Sequence, residues 1–167
     1  GLHIQAMLWG NIPKSMSMVP GDDTPTQDKT ISALGIDSLT NYQWVHYVPD
    51  TKGDYKEWGE EAIVSWKTWA EEFSVPFFPH VAVGWDTNPR FKAFMENTIT
   101  GGTPEKFKAF LSTAMDFVDA GKLTAPLITI NSWNEWSEGS YLEPDTTHGM
   151  GYLEAVRDAI AERTTRE

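Results

Sequence analysis

The chain contains no cysteine, so disulfides and thiolate metal sites are excluded as ways of holding it together, and its redox compartment stays open. No apolar run approaches the roughly 18 residues that a membrane-spanning helix needs. Basic residues are scarce: 13 Lys and Arg stand against 24 Asp and Glu, for a formal net charge of −11. With no basic cluster, that balance disfavours nucleic acid and anionic membrane as partners and suits a neutral oligosaccharide or polysaccharide. An Asp-x-Asp metal motif and a glycine-rich phosphate cradle are also missing, so neither a metal nor a cofactor is expected. Gly1-Leu2-His3-Ile4 enters a strand pattern at once, without the charged and apolar regions of a signal peptide. A periplasmic or extracellular location would follow only from a leader on a longer parent chain.

Apolar content is ample for a core, with 40% hydrophobic and 13% aromatic residues in 167, and residues 1–167 read as a single domain. Leu2 to Trp9 reads as a buried strand that places Trp9 and Asn11 at its C-terminal end. Lys14 to Pro25 reads as a long loop in which Met16 and Met18 either line a cleft or fill space, and Thr24-Pro25 caps a short helix closing at Gly35. Ser38 to Val48 reads as a second strand, with Thr40, Tyr42, Trp44 and His46 on one face by its period of two. His46, near the exit, either meets substrate or is a hydrogen-bonded structural residue.

Tyr55 to Phe73 follows as an amphipathic helix whose Trp58, Trp66 and Trp69 belong to the core. Pro76 to Gly84 is a third strand, with His80 directed either into a barrel or toward a helix, and it delivers Trp85, Asp86 and Arg90 into a loop. Those three either grip a sugar by stacking and hydrogen bonding, or form an Asp86–Arg90 pair that staples the loop. A helix starts at Thr103-Pro104-Glu105 and ends at Gly121, a strand follows from Leu127, and Tyr152, Leu153, Val156 and Ile160 mark a terminal helix. The order is β-α-β-α-β-α-β-α, which calls for a parallel sheet with right-handed crossovers and a site at the strand exits.

The most informative stretch is Leu127-Ile128-Thr129-Ile130-Asn131-Ser132-Trp133-Asn134-Glu135-Trp136-Ser137-Glu138-Gly139. It leaves a strand through a turn holding two carboxylates three residues apart between two indoles. Cleaving a glycosidic bond takes one group to protonate the leaving oxygen and one to support attack at the anomeric carbon, and Glu135 and Glu138 are candidates for that pair. In a helical turn their Cβ atoms would lie roughly 5–6 Å apart. Crowding two acids separates their proton affinities, which suits such a division of labour. Trp133 and Trp136 offer flat apolar faces to a sugar, and Asn134 a donor and an acceptor. The alternative is that the indoles are core and the carboxylates solvated.

The run from Trp133 to Asp145, followed by Gly149-Met150-Gly151-Tyr152-Leu153-Glu154-Ala155, resembles the C-terminal signature of glycoside hydrolase family 99-like (WbsX-like) proteins. Gly35 to Thr40 and Phe78 to Arg90 resemble further segments of that group, in the right order. In the related endo-α-mannosidases the catalytic pair lies in an Asn-Glu-Trp-x-Glu-Gly motif, which falls here on Glu135 and Glu138. The resemblance implies a (β/α)₈ barrel hydrolysing α-linked sugars with retention. Glu135 would assist attack by the substrate's own 2-hydroxyl, and Glu138 would protonate the leaving oxygen and later activate water. Trp9, Trp44, His46, Trp85, Asp86, Arg90, Trp133, Asn134, Trp136 and Tyr141 are the candidate substrate-binding residues. Trp133 and Ser140 depart from the family 99 pattern, where Phe and Thr are usual, so the resemblance does not carry the mannoside specificity across.

A whole (β/α)₈ barrel takes about 250 residues. The expected fold is therefore α/β, four consecutive βα units forming the C-terminal half of such a barrel, or alternatively an open parallel-sheet α/β sandwich. A half-barrel implies either a missing N-terminal half or self-association. The competing functions are a carbohydrate-binding module and a polysaccharide-biosynthesis glycosyltransferase.

Overall fold

The computed structural model describes residues 1–9, 12, 14, 21, 24–48, 52–121 and 126–165. Asn11, Met16 and Met18, with most of the loop predicted around the two methionines, lie outside them. The main elements are β1 (Gln5–Leu8), α1 (Gln27–Ala33), β2 (Ser38–Asn41), α2 (Tyr55–Glu72), β3 (His80–Ala82), α3 (Pro104–Ala120), β4 (Thr129–Asn131), the short pair β5 (Asn134–Glu135) and β6 (Ser140–Tyr141), and α4 (Gly151–Thr164). Helices α1, α2 and α3 start where side chains supply acceptors to free N–H groups. Thr26, rather than Thr24, caps α1 by accepting from the Lys29 N–H, and Thr103 caps α3 by accepting from the Lys106 N–H, with Pro104 in the first turn. Asp54 caps α2.

The fold is α/β with parallel strands. β1 pairs in parallel with β2, and β3 with β4; a parallel bridge between Leu39 and Phe77 joins the two pairs. β5 and β6 form a separate antiparallel ribbon just beyond β4. Among the described residues no helix is long and apolar enough to cross a membrane.

The second strand is shorter than its period of two suggests, and the reason lies in β3. The His80 and Ala82 carbonyls point away from β4, on the side where Phe78 donates to the Leu39 carbonyl. Instead of meeting a continued β2, they accept from Trp44 Nε1 (2.7 Å) and Tyr55 Oη (2.6 Å). β2 therefore stops at Asn41 and the chain turns through a 3₁₀ segment, Trp44–His46. This corrects the predicted strand to Val48. It also corrects Trp44 as a substrate contact: the indole is 0% exposed, packed edge-on to Trp58 and Phe110 and stacked near Tyr55. It anchors the core between the sheet and helices α2 and α3, with Leu39, Val81, Trp66 and Phe107 all fully buried. Trp58 and Trp66 are core as predicted, whereas Trp69 is half-buried against Tyr47 and Phe77.

His80 opens β3 and is almost wholly buried, with Nδ1 2.8 Å from Thr129 Oγ1 and its ring tilted toward Tyr42. Burial pushes its pKa down to about 4, because a charged imidazolium there loses water without gaining a counter-ion. An unfolded chain takes up that proton near pH 6.5. The neutral histidine thus contributes stability that is complete above pH 6.5 and is lost as pH falls toward 4, up to about 3 kcal/mol. Urea unfolding at pH 7 and pH 4.5 should show this as a pH-dependent difference between wild type and His80→Gln, the variant losing less stability on acidification.

Candidate active site

Three strand exits converge, and a buried amide fixes where they meet. Gln43, one residue beyond Tyr42 at the end of β2, is 0% exposed. Its Oε1 accepts from the Trp44 N–H, so Nε2 must donate. Its acceptors are the Gly84 carbonyl after β3 (3.1 Å), Asn131 Oδ1 at the end of β4 (2.7 Å) and Ser140 Oγ on β6 (3.1 Å). Ser140 Oγ also lies 2.5 Å from Asn131 Oδ1. With Oδ1 so occupied, the Asn131 NH₂ is left as a donor, and its influence on the Tyr42 phenol is to lower that group's pKa. The Asn131–Ser132 peptide that follows is cis.

Beyond Ser132 the chain forms β5, a 3₁₀ turn over Trp136–Glu138 and a left-handed Gly139 with φ of 60°. This turn packs against the loop after β3. The Asp86 N–H donates to the Glu138 carbonyl at 2.7 Å, and a Cβ placed on Gly139 would lie 2.9 Å from the Asp86 Cβ. A Cβ on Gly84 would lie 2.6 Å from the Gly139 carbonyl oxygen. Glycine at both positions is what lets the two loops meet.

The contact brings Arg90 over both acids. Its Nη1 is 2.8 Å from Glu138 Oε1 and its Nη2 3.4 Å from Glu135 Oε1, while Nε donates to Ser137 Oγ at 3.0 Å. Ser137 Oγ in turn donates to Glu135 Oε1 at 2.7 Å. One planar guanidinium thus compensates two carboxylates, a geometry that its fork of donors suits. Glu138 is buried and its Oε2 has no protein partner, whereas Glu135 is partly exposed. Tyr42 faces this cluster. Its pKa is raised, first by burial and then by the charges of Glu138 and Glu135, against the opposing effects of Asn131 and Arg90.

Tyr42 also belongs to an aromatic group with Trp9 (5.5 Å, nearly parallel) and His46 (5.4 Å), and Trp9 lies 4.5 Å from His46. Trp9 is 63% exposed. Burial lowers the His46 pKa, opposed by the field of Glu138. Trp133 and Asn134 are exposed, and Trp136 is exposed on one side and stacked on Tyr141 on the other.

Two expected contacts sit differently. Trp85 is buried and has little surface to offer a ligand. Asp86 is a staple for its own loop, accepting from the Asn88 N–H, Asn88 Nδ2 and Thr98 Oγ1. The loop is thus stapled by Asp86 with Asn88, while Arg90 reaches the acids. Residues overlooked in the sequence are Gln43, Asn131 and Ser137, with Tyr42 noticed only as strand content. Ser137, lying between the two glutamates, was the one with a local signal.

Fold and site together define an α/β protein whose polar groups gather at the exits of parallel strands, around two glutamates under one arginine. The model of the family described as Glycosyltransferase WbsX matches residues 12–156, and the chain belongs to that family. "Uncharacterized protein WxcX" of Xanthomonas campestris pv. campestris, in two strains, is 31% identical over 113 residues. Those residues are 67% of this chain but 16% of WxcX, so the chain spans only a small part of these relatives. Among solved structures it is similar to an endo-alpha-mannosidase of glycoside hydrolase family 99 from Bacteroides thetaiotaomicron (TM-score 0.49, 19% identity, 81% of this chain and 40% of that one). The same type of enzyme in complex with BIS-TRIS-propane gives a TM-score of 0.48 at 20% identity, covering 81% of this chain and 43% of that one.

Gly139→Ala should damage the site through its backbone. A left-handed alanine costs about 1–2 kcal/mol, and the close approach to Asp86 adds to it. At about 2–4 °C per kcal/mol for a chain of this size, thermal unfolding should show a fall in Tm of at least about 3 °C, with Gly149→Ala, whose Cβ would meet nothing within 4 Å, as the control for conformation alone.

Proposed function

We propose that this chain carries the acid pair of a glycan-cleaving enzyme, a retaining glycoside hydrolase acting on α-linked sugars such as α-mannosides. The observation that supports this most is the clasp of Glu135 and Glu138 by Arg90 at the strand exits, within the motif that resembles the family 99 catalytic pair. In this reading Glu138 is the acid that protonates the departing oxygen. Glu135, closer to solvent, is the base that assists the substrate's 2-hydroxyl in attacking the anomeric carbon. Ser137 and Arg90 hold Glu135 in orientation, and Tyr42 donates its phenolic hydrogen toward the acids or the sugar. Trp9, His46, Trp133, Asn134, Trp136 and Tyr141 form the sugar-binding surround.

The four βα units are read as the C-terminal half of a (β/α)₈ barrel and as one domain over residues 1–167. Sequential parallel contacts from β1 to β2, β2 to the segment before β3, and β3 to β4 support that reading. Among the described residues the outer edges of β1 and β4 have no strand partner, and Leu2, Ile4, Met7 and Leu127 beside them are exposed. The other half of the barrel, or failing that a second copy, would cover them. Sedimentation of the isolated 167-residue chain should reveal self-association; a stable compact monomer at high concentration would count against the half-barrel.

The family's description favours a second reading, transfer of a sugar to an acceptor other than water. Single-turnover kinetics on the complete protein separate the two. Glu135→Gln and Glu138→Gln should each slow release of reducing sugar by about 10²–10⁴-fold, and the losses should not add. An activated aryl α-glycoside should rescue cleavage in Glu138→Gln but not in Glu135→Gln. Near wild-type rates in both folded variants would leave the two glutamates structural, and release of sugar only to an added acceptor would favour transfer.

A further inference from the structure

Trp136 follows Glu135 directly and begins the turn that ends at Glu138. Its indole is held from two directions. The Tyr141 ring lies against one face, with centroids 3.7 Å apart and planes 17° from parallel, which is closer than the usual 4.5–7 Å of aromatic pairs. The indole N–H donates to Glu143 Oε2 at 2.5 Å, a hydrogen bond strengthened by the carboxylate's charge. Neither holder is loose. The Glu143 N–H donates to the Trp133 carbonyl at 3.1 Å, and Tyr141 belongs to β6 and donates through Oη to Asp145 at 3.2 Å.

Yet 44% of Trp136 remains exposed. With one face against Tyr141 and the N–H edge on Glu143, the opposite face and the outer edge of the ring are what is left to carry that exposure. A tryptophan that only filled the core would be buried like Trp44, and one that only decorated the surface would need no partners. Fixing an indole edge and back while leaving its front in water is how a fold prepares a flat apolar surface for a ligand. A pyranose presents a matching face of axial C–H groups.

We infer that Trp136 is a sugar-stacking platform beside the acid pair, and that Glu143 and Tyr141 are positioning residues that hold it in place. The inference rests on the glycan-processing reading for its ligand class. It adds Glu143, whose role is to orient the ring and, by placing negative charge on the N–H edge, to enrich the π-face that meets polarised C–H groups.

The test uses the complete protein labelled with 5-fluorotryptophan, with the Trp136 resonance assigned through Trp136→Phe. The probes are the α-linked tetrasaccharides of mannose, glucose and galactose. One of them should shift the Trp136 resonance in wild type and in Glu143→Gln, which keeps an acceptor oxygen. The same addition should leave a broadened, weakly responding resonance in Glu143→Leu. With the cleaved tetrasaccharide, Trp136→Ala should raise KM by about 5–10-fold, Glu143→Leu by less, and both should change kcat much less than KM; tenfold corresponds to about 1.4 kcal/mol. A Trp136 resonance unmoved by all three sugars overturns the inference, as does a Glu143→Leu variant with wild-type response and KM. Cleavage with an unmoved resonance would remove the platform and leave the hydrolase reading standing. A shifted resonance without any cleavage would keep the platform and count against hydrolysis.

Discussion

The structure around the candidate site depends on the side chain of Gln43. A primary amide buried at 0% exposure is costly unless all of its polar atoms are satisfied. Here its oxygen caps the turn that removes Trp44 from the strand, and its nitrogen reaches the exits of β3 and β4 and the hydroxyl of Ser140. The same amide therefore caps the turn that follows β2, registers two loops against one another and fixes the orientation of Asn131. The acid-bearing turn between Asn131 and Ser140 is anchored at both ends as a consequence. Polar contacts of this kind specify a geometry that apolar packing alone would leave free to slide.

Outward from that network, charge is arranged in layers. Arg90 brings a positive centre to a chain of strongly negative composition, at a turn where two carboxylates are drawn together. Its position is set by a loop that Asp86, Asn88 and Thr98 cross-link internally, so the guanidinium is delivered by a rigid hairpin rather than by a long side chain reaching freely. Aromatic rings flank the cluster: Trp9, Tyr42 and His46 at one strand exit, Trp136 and Tyr141 at the other. Preorganised charge bordered by flat apolar surfaces is suited to a neutral, hydroxyl-rich ligand.

Much of the architecture was legible from periodicity. The amphipathic patterns of α2, α3 and α4, the start of α3 at Thr103, and the alternation of parallel strands and helices all follow from local chemistry that the fold does not override. Strand lengths were not legible. The run from Ser38 to Val48 has the composition of a long strand, but its continuation depends on whether β3 offers free carbonyls, and Trp44 and Tyr55 take them. For the same reason Trp44, Tyr42 and His46, a single face in an extended chain, separate into core and site. Asp86 and Arg90 were read as one cluster because they are close in sequence; a tight turn sends one inward to its own loop and the other across to the glutamates.

The sequence by itself determined the class of chain, the order of its parallel strands and main helices but not the β5–β6 ribbon, the family and the motif containing Glu135 and Glu138. These rest on composition, on the 3.6- and two-residue periods and on a contiguous run of residue types, none of which needs a distant partner. Only the tertiary structure decided that Arg90 joins the two glutamates, that Gln43 ties Asn131 to Ser140, and that Glu143 and Tyr141 hold Trp136. Each of these depends on directional contacts a few ångströms long between side chains mostly from different elements, up to 97 residues apart in the case of Gln43 and Ser140. Whether two such groups meet depends on backbone turns such as Gly139, where a missing Cβ admits the neighbouring loop, and the spacing of residues along a chain contains no record of that approach.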